Sequence, residues 1–185
     1  NYSTVSPAGI MVSNQALTYI LNSGMISTPL LQKNGSGTLV RNEASIDGIL
    51  EYELNEGSLV ISNSYDANFA AALTDVSEGL GTFIKAGAST LSFYPTNSTF
   101  DGDIVVREGM VKLGSDDCLG TTNGSTIISN GASLNLNDMV VPHEPVIVSG
   151  SGFNGLGAIT ESPGKDNVEN NLTDVTLAGD TTFAC

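Results

Sequence analysis

Two stretches of this chain repeat each other in order, and that constrains the fold more than any other feature. Lys33-Asn34-Gly35-Ser36-Gly37-Thr38-Leu39 aligns with Lys85-Ala86-Gly87-Ala88-Ser89-Thr90-Leu91 at an offset of 52 residues. Glu56-Gly57-Ser58-Leu59 aligns with Glu108-Gly109-Met110-Val111 at the same offset, and Ile46-Asp47-Gly48 with Phe100-Asp101-Gly102 at 54. These matches define two copies of a repeat, near 33–61 and 85–113. Inside each copy a strand-like segment returns after about 20 residues, as Leu39 to Leu59 and Leu91 to Val111. One short strand per segment of that length marks a solenoid, in which each segment buries its apolar side only by stacking on the next.

Local pattern agrees. Gly81–Leu113, the clearest copy, alternates apolar and polar residues in Thr90–Phe93, Ile104–Val106 and Met110–Leu113, with Gly87, Gly109 and the turn Asp101-Gly102-Asp103 between them. Similar runs are Thr18–Leu21, Met25-Ile26, Ser125–Ile128, Ser133–Leu136 after Gly131, Val146–Val148, Val175–Gly179 and Thr181–Phe183. The alternation predicts an inward set of Leu39, Leu59, Ile61, Leu91, Phe93, Ile104, Val106, Val111, Leu113, Leu134, Leu136, Val146, Val148, Val175 and Leu177, with Thr, Ser and Asn facing out. Glycines supply the corners. Residues 66–81 carry helical propensity in Ala70, Ala71, Ala72 and Leu73. Residues 163–174 are polar and read as a projecting loop.

At 185 residues the chain fits one domain, 1–185, with room for a core. Six Lys and Arg stand against 20 Asp and Glu, a net charge of −14. That balance argues against nucleic acid, whose phosphates require cations to displace counterions, and against anionic membrane surfaces. It reads as a solubility device for a β-rich surface. No apolar stretch is long enough to span a membrane. No charged segment followed by an apolar run opens the chain, which begins at Asn1; it reads as a processed protein or a piece of a longer one.

The residues that carry chemistry are sparse. His143 lies between Pro142 and Glu144 in an expected turn, and the arginines are Arg41 and Arg107. Lys33 and Lys85 recur with the repeat, which predicts an outward repeat position rather than a catalytic base. Asp101 and Asp103 flank Gly102, and Asp116-Asp117 follow a glycine; these carboxylates suit Ca²⁺, but no ligand series of calcium-loop spacing is present and turn chemistry accounts for them. Ser-x-Gly triplets lack a nucleophile-elbow context. The sequence therefore predicts no catalytic residue, metal or cofactor.

The order of the motifs resembles the passenger-associated β-strand repeat of bacterial autotransporters. The resemblance rests on Lys85, Gly87, Thr90, Leu91, Phe100, Gly102, Gly109, Val111, Leu113, Gly114, Leu119 and Gly120, and in the weaker copy on Lys33, Gly35, Gly37, Thr38, Leu39, Gly48, Gly57 and Leu59. It implies an all-β fold, a right-handed single-stranded parallel β-helix of about 20–22 residues per coil, and export from the cell. It moves residues 66–81 from helix to strand. Eight or nine coils are expected, a rod on the order of 40 Å with open strand edges at its ends.

In such a rod Cys118 and Cys185, 67 residues apart, sit about three coils or roughly 14 Å from each other, whereas a disulfide needs Cα atoms within about 7 Å. An intrachain bridge through a folded-back loop, free thiols and an intermolecular cross-link all stay open. The functional expectation is a non-catalytic structural or adhesive module at the bacterial surface or outside the cell. Its partners would be copies of itself, through coil ends or lateral faces, and host or matrix glycans. The alternative is a β-helix that binds or acts on carbohydrate.

Overall fold

The computed structural model describes residues 7–22, 26–42, 48–76, 79–95, 97–141, 143–162 and 172–184. The chain enters with β1 (Ile10–Ser13) and β2 (Thr18–Leu21) and repeats the pair as β3 (Ser27–Asn34) and β4 (Thr38–Asn42). Two coils of three strands follow: β5 (Gly48–Leu54), β6 (Gly57–Ser62) and β7 (Ala67–Phe69), then β8 (Ala72–Thr74), β9 (Gly81–Ala86) and β10 (Thr90–Phe93). Pairs then resume as β11 (Asp103–Val106) with β12 (Gly109–Leu113), and β13 (Thr126–Ile128) with β14 (Ala132–Asn135). The last pairs are β15 (Pro145–Gly150) with β16 (Ile159–Thr160), and β17 (Asp174–Thr181) with β18 (Phe183–Ala184). Helix among the described residues is confined to a single 3-10 turn, Phe153–Gly155.

These strands stack into three faces. Face A is β1-β3-β5-β8, face B is β2-β4-β6-β9-β11-β13-β15-β17, and face C is β7-β10-β12-β14-β16-β18. Every pairing is parallel. The protein is thus an all-β solenoid of stacked coils. Face B has eight strands, so the stack makes about seven turns and rises roughly 34 Å, less than the sequence suggested. Register puts 20 residues between Thr18 and Thr38 and again between Thr38 and Ser58, but 24 between Ser58 and Thr82, where a third strand enters the coil. The last coil is longest, 29 residues from Val146 to Val175, and contains the polar segment 163–174. Residues 163–171 of that segment lie outside the described residues, as does Met25; β3 begins only at Ser27.

The core fills the tube. Thirteen of the fifteen residues expected to face inward are buried, from Leu39 to Val148. Val175 is only half-buried and Leu177 is 57% exposed, because among the described residues β17 is the last strand of face B and no strand stacks on it. Face A contributes Leu31, Tyr52, Leu54 and Leu73, which the repeat alignment did not single out. Where all three faces coexist, the wider cross-section takes aromatic residues. Tyr52 from face A, Phe83 from face B, and Phe69 and Phe93 from face C form one cluster, with ring centroids 5.1 to 5.4 Å apart. Residues 67–69 and 72–74 are strands: stacking Ala67 on Leu91 and Phe69 on Phe93 outweighs local helical propensity.

The two repeat copies do not occupy the same faces. Lys33 is the next-to-last residue of β3 on face A, which leads to β4 on face B; Lys85 is the next-to-last residue of β9 on face B, which leads to β10 on face C. The 52-residue offset therefore spans two coils plus one face. What repeats is a corner, not a whole coil. Gly48 of the third match opens β5, while Ile46 and Asp47 lie outside the described residues.

Candidate functional site

The corner is built around its lysine. Lys33 and Lys85 are 1% and 0% exposed, so the outward position expected from the sequence is wrong. The physical reason is the period of two. Lys33 shares a side of β3 with Leu31, and Lys85 shares a side of β9 with Phe83, and both neighbours are core. The alternation Leu-x-Lys and Phe-x-Lys was legible; the charge masked it.

Burial of a charge requires partners. The Lys33 ammonium donates to the carbonyl oxygens of Asn34 (3.0 Å), Gly35 (2.5 Å) and Glu56 (3.1 Å). The Lys85 ammonium donates to those of Ala86 (2.9 Å), Gly87 (2.6 Å) and Glu108 (3.0 Å). Three donors meet three acceptors. In each trio one acceptor is the last residue of the lysine's own strand, Asn34 or Ala86, whose oxygen also takes a backbone N–H from Asn14 or Asn63; the second lies on the turn that follows, and the third lies on the next coil. Burial lowers the Lys85 pKa to about 8, opposed by the charges of Glu108 and Asp66. Burial lowers that of Lys33 as well, opposed by Glu56.

The repeat glycines make room for this cage. Gly57 and Gly109 have φ of 70° and 72°, and a Cβ on either would lie 2.9 Å from the lysine Nζ and nearer still to two carbonyl oxygens. Gly35 and Gly87 pack against the backbone oxygens of Asn14 and Asn63, at 2.6 and 2.3 Å from an added Cβ. Gly37 meets the Asn14 side chain, and Gly102 the Gly81 carbonyl. Asn14 and Asn63 complete the corner from inside: their Nδ2 groups donate to Leu17 and Thr38, and to Tyr65 and Thr90. Their spacing of 49, not 52, hid them from the alignment. Arg41 is a third interior cation, 1% exposed on β4 and stacked between Leu21 and Ile61, with Nη1 donating to the Leu21 carbonyl.

The other candidate residues stay apart. Asp101 accepts from the Thr121 hydroxyl, Asp103 from the Ser125 N–H at 3.0 Å, and Asp116 from the Val140 N–H at 2.7 Å. Each carboxylate ties a turn to the next coil. Among the described residues no three His, Cys, Asp or Glu side chains gather as metal ligands would. His143 is exposed in a turn at φ 69°, and its N–H donates to Thr173 Oγ1. Cys118 is a fully buried free thiol whose pKa burial raises; Cys185 lies outside the described residues.

Glu144 was not singled out by the sequence. It is 5% exposed, its Oε1 accepts from Thr126 Oγ1 at 2.6 Å, and burial pushes its carboxyl up to about 7. With Asp116 and Asp117 it lines a cavity of about 200 Å³. A shallower groove of about 610 Å³ runs over Asn22, Asn42, Ser62, Asn63 and Ser64, where Asn42 Nδ2 donates to Asn22 Oδ1 at 2.6 Å. No protein-family model, curated protein or solved structure matches the chain.

Proposed function

We propose that the chain is a non-catalytic structural or adhesive β-solenoid module, exported to the bacterial surface or beyond, which self-associates end to end. One observation carries the reading. The charged residues that define the repeat, Lys33 and Lys85, are consumed in building corners and present no reactive group to solvent. The export term rests on the motif order that resembles autotransporter passenger repeats. End-to-end association is supported by the terminal coils. Tyr19 on β2 and Leu177 on β17 occupy inward columns yet are 45% and 57% exposed, and among the described residues no strand pairs with the outer edge of either. Negative-stain microscopy of the concentrated protein tests the assembly, with filaments that lengthen by end-to-end addition expected and dispersed particles of single-solenoid length counting against it.

A second reading, a β-helix that binds or acts on extracellular polysaccharide, is favoured by the polar groove. Its amides and hydroxyls suit sugar hydroxyls, and Tyr65, adjoining Ser64, is 71% exposed as a stacking surface. A glycan array with a hydrolysis screen decides between the two; one bound or cleaved polysaccharide that loses its signal on Tyr65→Ala favours the second.

A further inference from the structure

Face B has an outer side that neither the corners nor the coil ends use. Val40, Val60, Ile84, Val105, Ile127 and Ile147 are partners strand by strand, an unbroken β-branched column that alternates with the core residues of face B; Val40, Val105, Ile127 and Ile147 are half-buried, while Val60 and Ile84 in its middle are covered, at 8% and 6% exposure. Ile20 precedes them on β2 and is 55% exposed. Short polar columns flank it, with Thr38, Ser58 and Thr82 on one side and Asn42 and Ser62, followed by the methyl group of Ala86, on the other. At β11 the flanks become charged: Asp103 lies two residues before Val105 and Arg107 two residues after. Arg107 is exposed, and its N–H extends the ladder by bonding the Lys85 carbonyl at 2.9 Å. Among the described residues it is the one cation in these columns.

We propose that this outer side of face B is a lateral pairing surface that takes a second copy of the chain, the two solenoids parallel and related by a two-fold axis along the stack. Charge complementarity selects this arrangement. Such an axis sets each coil against the same coil of the second copy and exchanges the flanks. Asp103 then faces Arg107 of the other copy, twice, astride the two Val105 side chains. A two-fold axis along the strands sets Asp103 against Asp103 instead. The surface suffices for a weak specific dimer. Seven steps of about 4.8 Å by five residues of about 3.3 Å give roughly 550 Å² per copy, about 1,100 Å² in all, at the low end of specific interfaces. Elsewhere the copies repel, since the net charge is −14 and Lys33, Lys85 and Arg41 are interior. The pairing uses the side of the stack and does not depend on association through its ends.

Sedimentation velocity from micromolar to near-millimolar protein tests it, with a monomer–dimer equilibrium expected. Val105→Glu abolishes the dimer with an unchanged thermal midpoint, because the side chain points outward. Arg107→Asp weakens it about tenfold, and the exchange Asp103→Arg with Arg107→Asp restores it. The exchange is compared, at matched thermal midpoints, with Asp103→Asn, which likewise loses the carboxylate that accepts from the Ser125 N–H. Under mild oxidation Ile147→Cys, in a chain carrying Cys185→Ser, cross-links to its own copy, because the axis sets residue 147 opposite itself; Cys118 is buried and does not compete. Monomers at every concentration, no restoration by the charge exchange, or Val105→Cys cross-linking without Ile147→Cys would overturn the proposal. So would filaments that form equally well with Val105→Glu and contain no lateral pairs, an outcome that leaves end-to-end association standing.

Discussion

The ammonium of Lys85 donates a 3.0 Å hydrogen bond to the carbonyl oxygen of Glu108, 23 residues along the chain, and so pins one coil to the next from inside. Lys33 does the same to Glu56, at 3.1 Å and the same separation. In each case the glycine after the glutamate has positive φ and no side chain, which lets its backbone close over the ammonium. Lysine, glutamate carbonyl and glycine act as one corner device, moved by one face between copies.

Removing the donor exposes its worth. Lys85→Met keeps the apolar stem but leaves the carbonyls of Ala86, Gly87 and Glu108 without their shared donor, and is expected to cost about 2–4 kcal/mol. Lys112→Met, on the outward side of β12, is expected to stay within about 0.5 kcal/mol. Urea unfolding midpoints of the two variants make the comparison.

Gly109→Ala puts a methyl group 2.4 Å from the Ser89 oxygen and 2.9 Å from Lys85 Nζ, at a backbone φ of 72°. Steric contact and strain act together, and a loss of about 2–3 kcal/mol is expected. Gly131, also at positive φ but with nothing within 4 Å of an added Cβ, has the strain alone and is expected to tolerate alanine at about 1 kcal/mol. Thermal midpoints of Gly109→Ala and Gly131→Ala separate the two contributions.

Glu144 gives the fold a pH dependence of definite sign. Burial raises its folded pKa to about 7 from 4.5, so between those values the folded chain holds the proton more tightly than the unfolded chain. Its contribution is full below about pH 4.5 and is lost as pH rises through 7, on the order of 3 kcal/mol at most. Glu144→Gln mimics the protonated carboxyl and is expected to gain stability relative to the parent at pH 8 and to match it at pH 4. Denaturant midpoints at the two values read the difference.

The aromatic cluster fills the three-faced coils. Phe69 touches Tyr52, Phe83 and Phe93, so Phe69→Ala is expected to cost about 3–5 kcal/mol and roughly 10 °C in thermal midpoint. Calorimetry on that variant beside Phe183→Ala, whose side chain is 53% exposed at the stack end, tests whether the load lies in the middle.

Much of this architecture was legible because solenoid strands report themselves locally. Thr90–Phe93 and Ile104–Val106 alternate cleanly, and their inward residues are buried. The interior lysines were not, because a charge at a repeat position suggests solvent until the carbonyls of the following turn are placed around it. The face shift was hidden for a related reason: an alignment sees the corner and not which two of three sheets it joins. Asn63 and Glu144 escaped because their partners Thr90 and Thr126 lie 27 and 18 residues away, contacts that stacking alone creates. The outward Val and Ile column of face B departs from the Thr, Ser and Asn ladders expected there, since β-branched apolar residues suit a strand surface on either side.

Lysine acetylation of the native protein, followed by peptide mass spectrometry, tests the interior corner most directly. With both ammonium groups caged, Lys33 and Lys85 are expected to remain unmodified while Lys112 reacts, and all three to react after unfolding in urea. Native-state modification of Lys33 and Lys85 at the rate of Lys112 would contradict the account.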